Sequence, residues 1–401
     1  MTAGGSPSPS SLLASLRWAL GADGKAPPPP VDWALALNLA KAQGLHLFLY
    51  PPLRRNPPDG LPDGLRAEYL AGVRDGERRR AQAGELFSAL NRAGIPFIPL
   101  KGIWLSEHVY PDPAERPMHD LDVLVRLRDV ERASAVMKES GYAGQGVPND
   151  KHRVFLHPDW PLPVELHGRL DHAGPLALDP EPLWERAVPS SCCGQPCLTL
   201  EPHDLVLALV RHTLLHSLGF YPLRSLVDIA LVLKKEGPAI DLHELHARAR
   251  AVRMVRGLAL VVAMAEELAG FEREADWPAD WNPDPDLLRE AWSLTLQRGG
   301  VRAHPPESLL RLEELRDLRD RLRLLGRRLF LSAPELEARY PWAARRGLRP
   351  FALAARLGDL VRLYAGALVR LAKRDPALLE ALDVSRERRG WLARIYPDPP
   401  A

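Results

Sequence analysis

Residues 100–125 read LKGIWLSEHVYPDPAERPMHDLDVLV, and the closing DLDVLV decides the fold. Side chains of a β-strand alternate between its two faces, so Leu121, Val123 and Val125 share one face and Asp120 and Asp122 the other. Two carboxylates held side by side repel unless a cation sits between them. Divalent metal bound through carboxylate oxygens is the usual answer, so this pair is read as a Mg²⁺ site.

Working outward, residues 95–100 are apolar but carry Pro96 and Pro99, which predicts a strand near a sheet edge or one that ends at Pro99. Gly102 is read as a tight turn into a helix over 103–110, and a helix over 128–139 should stop at Gly141. Residues 153–157 and 163–169 form an expected strand pair around PDWPLP, with Glu165 and His167 on one face of PVELHGRL. A third carboxylate arriving on a neighbouring strand is what phosphoryl transfer with two metals requires. Gly102 at a helix start leaves backbone N–H groups for phosphates, and Lys101 beside it supplies a point charge.

The combined pattern resembles a bacterial family of uncharacterised nucleotidyltransferases within the polymerase-beta-like superfamily. The matching residues are Leu100, Lys101 and Gly102, then Tyr110, Pro111 and Asp112, then Arg116 with Asp120, Asp122, Leu124 and Val125, then Glu165, Leu166 and His167. Residues 214–233, LLHSLGFYPLRSLVDIALVL, are similar to that family's helical segment. The resemblance implies an α+β fold: a small mixed sheet with helices, flanked by mainly α-helical N- and C-terminal regions. It implies transfer of a nucleoside monophosphate from a triphosphate such as ATP to an acceptor hydroxyl, with release of pyrophosphate. By the same match Asp120, Asp122 and Glu165 hold two Mg²⁺ ions, with Mn²⁺ as a substitute, and Glu165 doubles as a candidate base. Lys101, Gly102, Arg116 and His167 fall to nucleotide and phosphate binding. Two departures stand out. The superfamily has Gly-Ser at the first turn where this chain has Lys101, Gly102 and Ile103, and its third acid is often an aspartate where this chain has Glu165. A noncatalytic protein that keeps the fold to bind a nucleotide or a partner is the competing reading.

Composition bounds the rest. The 401 residues suffice for two or three domains. The 53 basic and 51 acidic residues are too evenly matched to argue for a nucleic-acid track, so the acceptor is expected to be a small molecule, sugar, peptide or protein. Cys192, Cys193 and Cys197 are odd in number and crowded together, which describes no disulfide framework. With no apolar run of membrane-spanning length, a cytoplasmic protein is expected, and the proline- and arginine-rich vocabulary is that of a GC-rich bacterial genome.

Three regions are expected: a helical N-terminal part over 1–75 with a disordered start, an α/β core over 76–200, and a helical part over 201–401. In the first, helices are predicted near residues 10–21 and 31–42, a turn-rich connection at 51–62, and one long helix or two in line up to Gly94. Its GERRRA run is read as a solvated helix face. In the third, helices are predicted over 203–216, 223–235, 242–269, 286–297, 308–330 and 350–374. His212 and His216 are four apart on a helix, but HTLLH lacks the glutamate of a zinc-protease helix, so His212 with Arg211 is read as lining the cleft. Arg224 and Asp228 are spaced either for an ion pair on one helix or for Asp228 to orient a cleft residue.

Overall fold

The computed structural model describes residues 9–22, 31–59, 61–145, 151–170, 179–215, 222–270, 281–297, 340, 349–373, 375–376, 391 and 394–395. The chain divides into two compact units, 1–300 and 301–401. In the second, Arg349–Ala372 is a helix and the Tyr340 hydroxyl donates to Asp359 (2.6 Å). The helix expected over 308–330 and the predicted disordered start lie outside the described residues.

The first unit opens with helices α1 (Pro9–Ala19), α2 (Trp33–Ala42), α3 (His46–Arg55) and α4 (Leu65–Arg92). Asp32 caps α2 by accepting from the Leu35 N–H. The turn-rich connection expected at 51–62 begins late, because α3 runs through Pro51 and Pro52. Proline removes a donor from the helix ladder. Burial of Leu47, Phe48, Leu49, Tyr50 and Leu53 within that single helix outweighs the loss. The 62–93 pattern resolves as one continuous helix, α4, and its Arg80 pairs with Glu107 rather than forming a purely solvated face.

The central sheet has five strands in the order β1 (Phe97–Pro99), β2 (Leu121–Val125), β5 (Val164–His167), β4 (His152–Leu156), β3 (Ala143–Gln145). Only the β2–β5 pair is parallel; the others are antiparallel, so the sheet is mixed. The proline-flanked β1 takes an edge, where missing N–H donors cost least. Helix α5 (Lys101–His108) follows β1, and α6 (Val130–Glu139) crosses between β2 and β3. One sheet face is dry: Phe97, Leu121, Val123, Val125, Phe155, Val164 and Leu166 pack with Leu86, Phe87 and Leu90 of α4 and Ala133 and Met137 of α6. Phe87 stacks on Phe97 at a centroid distance of 4.8 Å. The alternation that buries these residues turns the even-numbered side chains of β2 to the opposite face.

Helix α7 (Pro180–Arg186) and the hairpin β6 (Val188–Cys192) and β7 (Gln195–Thr199) come next. Sequence reading missed this hairpin. Its turn is made by Cys193 and Gly194 in the left-handed region (φ +50° and +74°), a tight-hairpin geometry that a cysteine does not advertise. The helices α8 (Pro202–Leu215), α9 (Pro222–Glu236), α10 (Leu242–Ala251), α11 (Val255–Ala269) and α12 (Pro285–Gln297) follow among the described residues of the unit. The single helix predicted over 242–269 is two, parted at Arg253 with φ +57°, a backbone reversal without the usual glycine signal.

The loop before β2 is held by buried polar groups. Asp112 accepts from the Ala114 N–H (2.8 Å) and, on its other oxygen, from the Tyr69 hydroxyl of α4 (2.9 Å). Glu115, more deeply buried than Asp112, has its carboxyl pushed up to about 8 by burial and then by Asp112, with Arg55 opposing. Below the ordinary value of 4.5 both folded and unfolded chains carry the proton. Between there and about 8 only the folded chain keeps it, so this residue lowers stability as pH rises through that window. Glu115→Gln should therefore melt at a temperature close to that of the parent at pH 4.5 and clearly above it at pH 8.5, by scanning calorimetry.

Candidate active site: three carboxylates beside a lysine and a histidine

The face of the sheet away from the core carries the acids. In the parallel register Asp122 lies opposite Glu165, and Asp120 immediately precedes β2. Oxygens of Asp120, Asp122 and Glu165 all come within 4.8 Å of one another. Their all-oxygen donor set suits a hard divalent cation such as Mg²⁺.

Asp122 is the tightest member, 5% exposed. Its Oδ1 sits 2.7 Å from His167 Nε2 and its Oδ2 3.4 Å from Lys101 Nζ. Burial acts to raise its pKa, but Lys101 and the His167 hydrogen bond outweigh it and hold the carboxyl well below the usual range. Burial and then the charge of Asp122 push Asp120 up to about 6, with Lys101 opposing. His167 is fully enclosed. Burial works to lower its pKa, yet its bonds to Asp122 and Glu165 (3.4 Å) raise it. Glu165 ends below its ordinary value, burial being overcome by the His167 contact.

Lys101 reaches Asp122 through a strained backbone. Its φ of +39° makes it, rather than Gly102, the turning residue between β1 and α5. Gly102 answers a different need: a Cβ there would lie 3.2 Å from the Arg116 guanidinium and 3.3 Å from Met118 Cβ. The glycine read as a turn lets α5 pack closely on the loop before β2, where a Cβ would push its neighbours back by a few tenths of an ångström.

Arg116 lies near enough to Asp120 to lower its pKa, and it has a second acid as its hydrogen-bonded partner. Its guanidinium makes a two-pronged bond to Asp228 of α9, with Nε to Oδ1 at 2.8 Å and a terminal nitrogen to Oδ2 at 2.7 Å, both side chains buried. Tyr110 donates to the same Oδ1 at 2.7 Å. Asp228 therefore orients Arg116 and Tyr110, and Arg224 donates to the Pro117 carbonyl (3.2 Å). His212 and Arg211 line a pocket with Lys101 and His167, walled by Trp104 and Leu209. His216 lies outside the described residues. The cysteines sit on the β6–β7 hairpin, with Cys192 in the core and its thiol pushed up by its Cys193 contact and by burial.

Sequence reading missed His152. It stands opposite His167 in the β4–β5 register, with Nδ1 3.8 Å from Glu165 Oε2. Pairing HRVFL antiparallel against VELH would have found it, because opposed residues share a face.

A family model described as "Uncharacterised nucleotidyltransferase" matches residues 29–270, more than half of the chain. Among solved structures, the antibiotic-resistance factor ANT(2'')-Ia is similar at 12% identity and a TM-score of 0.33, over 43% of this chain and 91% of that one. No curated protein matches.

Removing one partner of a buried ion pair strands the other charge, at a cost of about 3–5 kcal/mol. Asp228→Ala should therefore destabilise the protein by about that amount in denaturant titration.

Proposed function

The chain belongs to the uncharacterised nucleotidyltransferase family, and from that membership we propose that it transfers a nucleoside monophosphate from a triphosphate to an acceptor hydroxyl with release of pyrophosphate, dependent on Mg²⁺. The observation that carries this reading is the convergence of Asp120, Asp122 and Glu165 from adjacent strands, with oxygens within 4.8 Å. Bound there, Mg²⁺ would neutralise charge on the phosphates and lower the pKa of the attacking hydroxyl.

The chain's own groups divide the remaining tasks. The first N–H groups of α5 have no intrahelical partners, so they and the Lys101 ammonium are suited to phosphate oxygens where the superfamily uses a serine. Pairing with Asp122 keeps that ammonium aimed at the acids. His167 donates a hydrogen bond from Nε2 to Asp122 and so keeps a buried acid ionised. Glu165, 26% exposed at its side chain, is the acid with the most open approach for an acceptor proton. Arg211 and His212, beside apolar Trp104 and Leu209, offer a mixed wall for the nucleoside or the acceptor. The α/β catalytic core expected over 76–200, which α4 enters as one helix across position 75, and helical flanks that choose the acceptor are part of the proposal.

One observation favours a noncatalytic nucleotide-binding role. Both oxygens of Asp122 are already engaged, one by an imidazole and one by an ammonium, so the acid is satisfied without metal. Turnover separates the two readings. A nucleoside triphosphate with Mg²⁺ should raise the melting temperature, and Asp120→Asn with Asp122→Asn should abolish the shift, since a ligand bound only by the folded state stabilises it. Pyrophosphate release on adding cell extract supports transfer; a metal-dependent shift with no release supports the binder; a shift unchanged in the double variant contradicts the metal site altogether.

A further inference from the structure

We infer that His152, Glu165 and His167 form a second cation site beside the carboxylate trio, one built for a borderline transition metal of the Zn²⁺ type. Ligand atoms of these three residues lie within 4.8 Å of one another. The set shares Glu165 with the trio and differs from it in chemistry, having two imidazole nitrogens where the trio has only oxygen. Imidazole with one carboxylate selects Zn²⁺, Co²⁺ and their neighbours, whereas Mg²⁺ keeps to oxygen. The inference therefore goes beyond nucleotidyl transfer and does not depend on turnover.

The geometry is that of ligands around a small ion. Metal bonds of about 2.0–2.2 Å in a tetrahedron separate neighbouring ligand atoms by about 3.3–3.6 Å. Glu165 Oε2 lies 3.4 Å from His167 Nε2 and 3.8 Å from His152 Nδ1. The two rings face each other at a centroid distance of 5.1 Å, as their directly opposed positions on β4 and β5 dictate. Two donors come from one strand two residues apart and the third from its hydrogen-bonded neighbour, so the backbone ladder fixes the spacing. His152 and Glu165 are 18% and 26% exposed at their side chains, which leaves an approach for the ion.

The surroundings also fit. A metal-bound histidine typically gives its second ring N–H to a carbonyl or carboxylate, which fixes its tautomer. His167 Nδ1 faces the Arg169 carbonyl at 3.4 Å, the partner such a tautomer needs. In that state Nε2 carries no proton for Asp122, so Oδ1 of that carboxylate loses its imidazole donor and is left to the neighbouring site. Occupancy of the nitrogen site is thereby linked to the carboxylate site through Glu165, which both sets contain, and through His167, which bonds to Asp122.

Co²⁺ is the probe, because it absorbs visible light strongly when bound at low coordination number with nitrogen ligands and weakly in an octahedral oxygen site. Titrated into the full-length, tag-free protein, Co²⁺ should develop an intense visible band that saturates at one equivalent and is displaced by Zn²⁺. His152→Ala should lose the band, and Asp120→Asn, which touches only the oxygen trio, should keep it. X-ray absorption on the Zn²⁺-loaded parent, which requires no variant to fold, should show imidazole scattering. A band that survives in folded His152→Ala, no band in the parent, or an all-oxygen shell in the absorption spectrum would each overturn the proposal. The last two results would leave the Mg²⁺ reading of the trio untouched.

Discussion

An ionised carboxylate that is 5% exposed has to be neutralised by its neighbours, and Asp122 sets that condition for the whole first unit. Left alone it would cost several kcal/mol or take up a proton. The chain meets the condition from two sides. His167 approaches along the adjacent parallel strand, and Lys101 comes round from the end of β1 on a positive φ that only an over-determined structure holds. Strand order follows from the same requirement. With β2 between β1 and β5, the second residue after the edge strand and the fourth residue of β5 both converge on one aspartate.

The helical flank is tied to this centre by a second buried charge pair. Asp228 of α9 takes both prongs of Arg116 and the hydroxyl of Tyr110, joining the loop that delivers β2 to the helices that follow the sheet. From the other side, Tyr69 of α4 fixes Asp112 at the head of the same loop. The acids are thus positioned by contacts with residues more than a hundred positions apart in sequence. That is the physical reason a local pattern such as D-x-D says little alone and much in company.

Strand alternation made Asp120, Asp122, Glu165 and the dry face of β2 legible, because one buried face and one polar face leave no freedom of register. Helix caps and apolar spacing likewise located α1, α2, α4, α6, α8 and α9 to within a few residues. What escaped depended on information outside the local window. The burial that carries α3 through two prolines is tertiary, and Lys101, Cys193 and Arg253 take left-handed conformations although none of them is itself a glycine. The spacing of Arg224 and Asp228 allowed an ion pair on one helix, but the more deeply buried partner for Asp228 was Arg116, delivered from another element. His152 was invisible until the β4–β5 pairing was known, since its own segment carries no motif.

The central claim is that Asp120, Asp122 and Glu165 hold the ions that accompany a nucleoside triphosphate. A crystal structure with a non-hydrolysable triphosphate and Mn²⁺ tests it most directly, because Mn²⁺ scatters anomalously and marks its own position. The account predicts anomalous peaks within coordination distance of Asp120 and Asp122, with Glu165 completing one of them and the triphosphate leading away toward Lys101. A bound nucleotide with its Mn²⁺ held only by phosphate and water, clear of all three carboxylates, would contradict it.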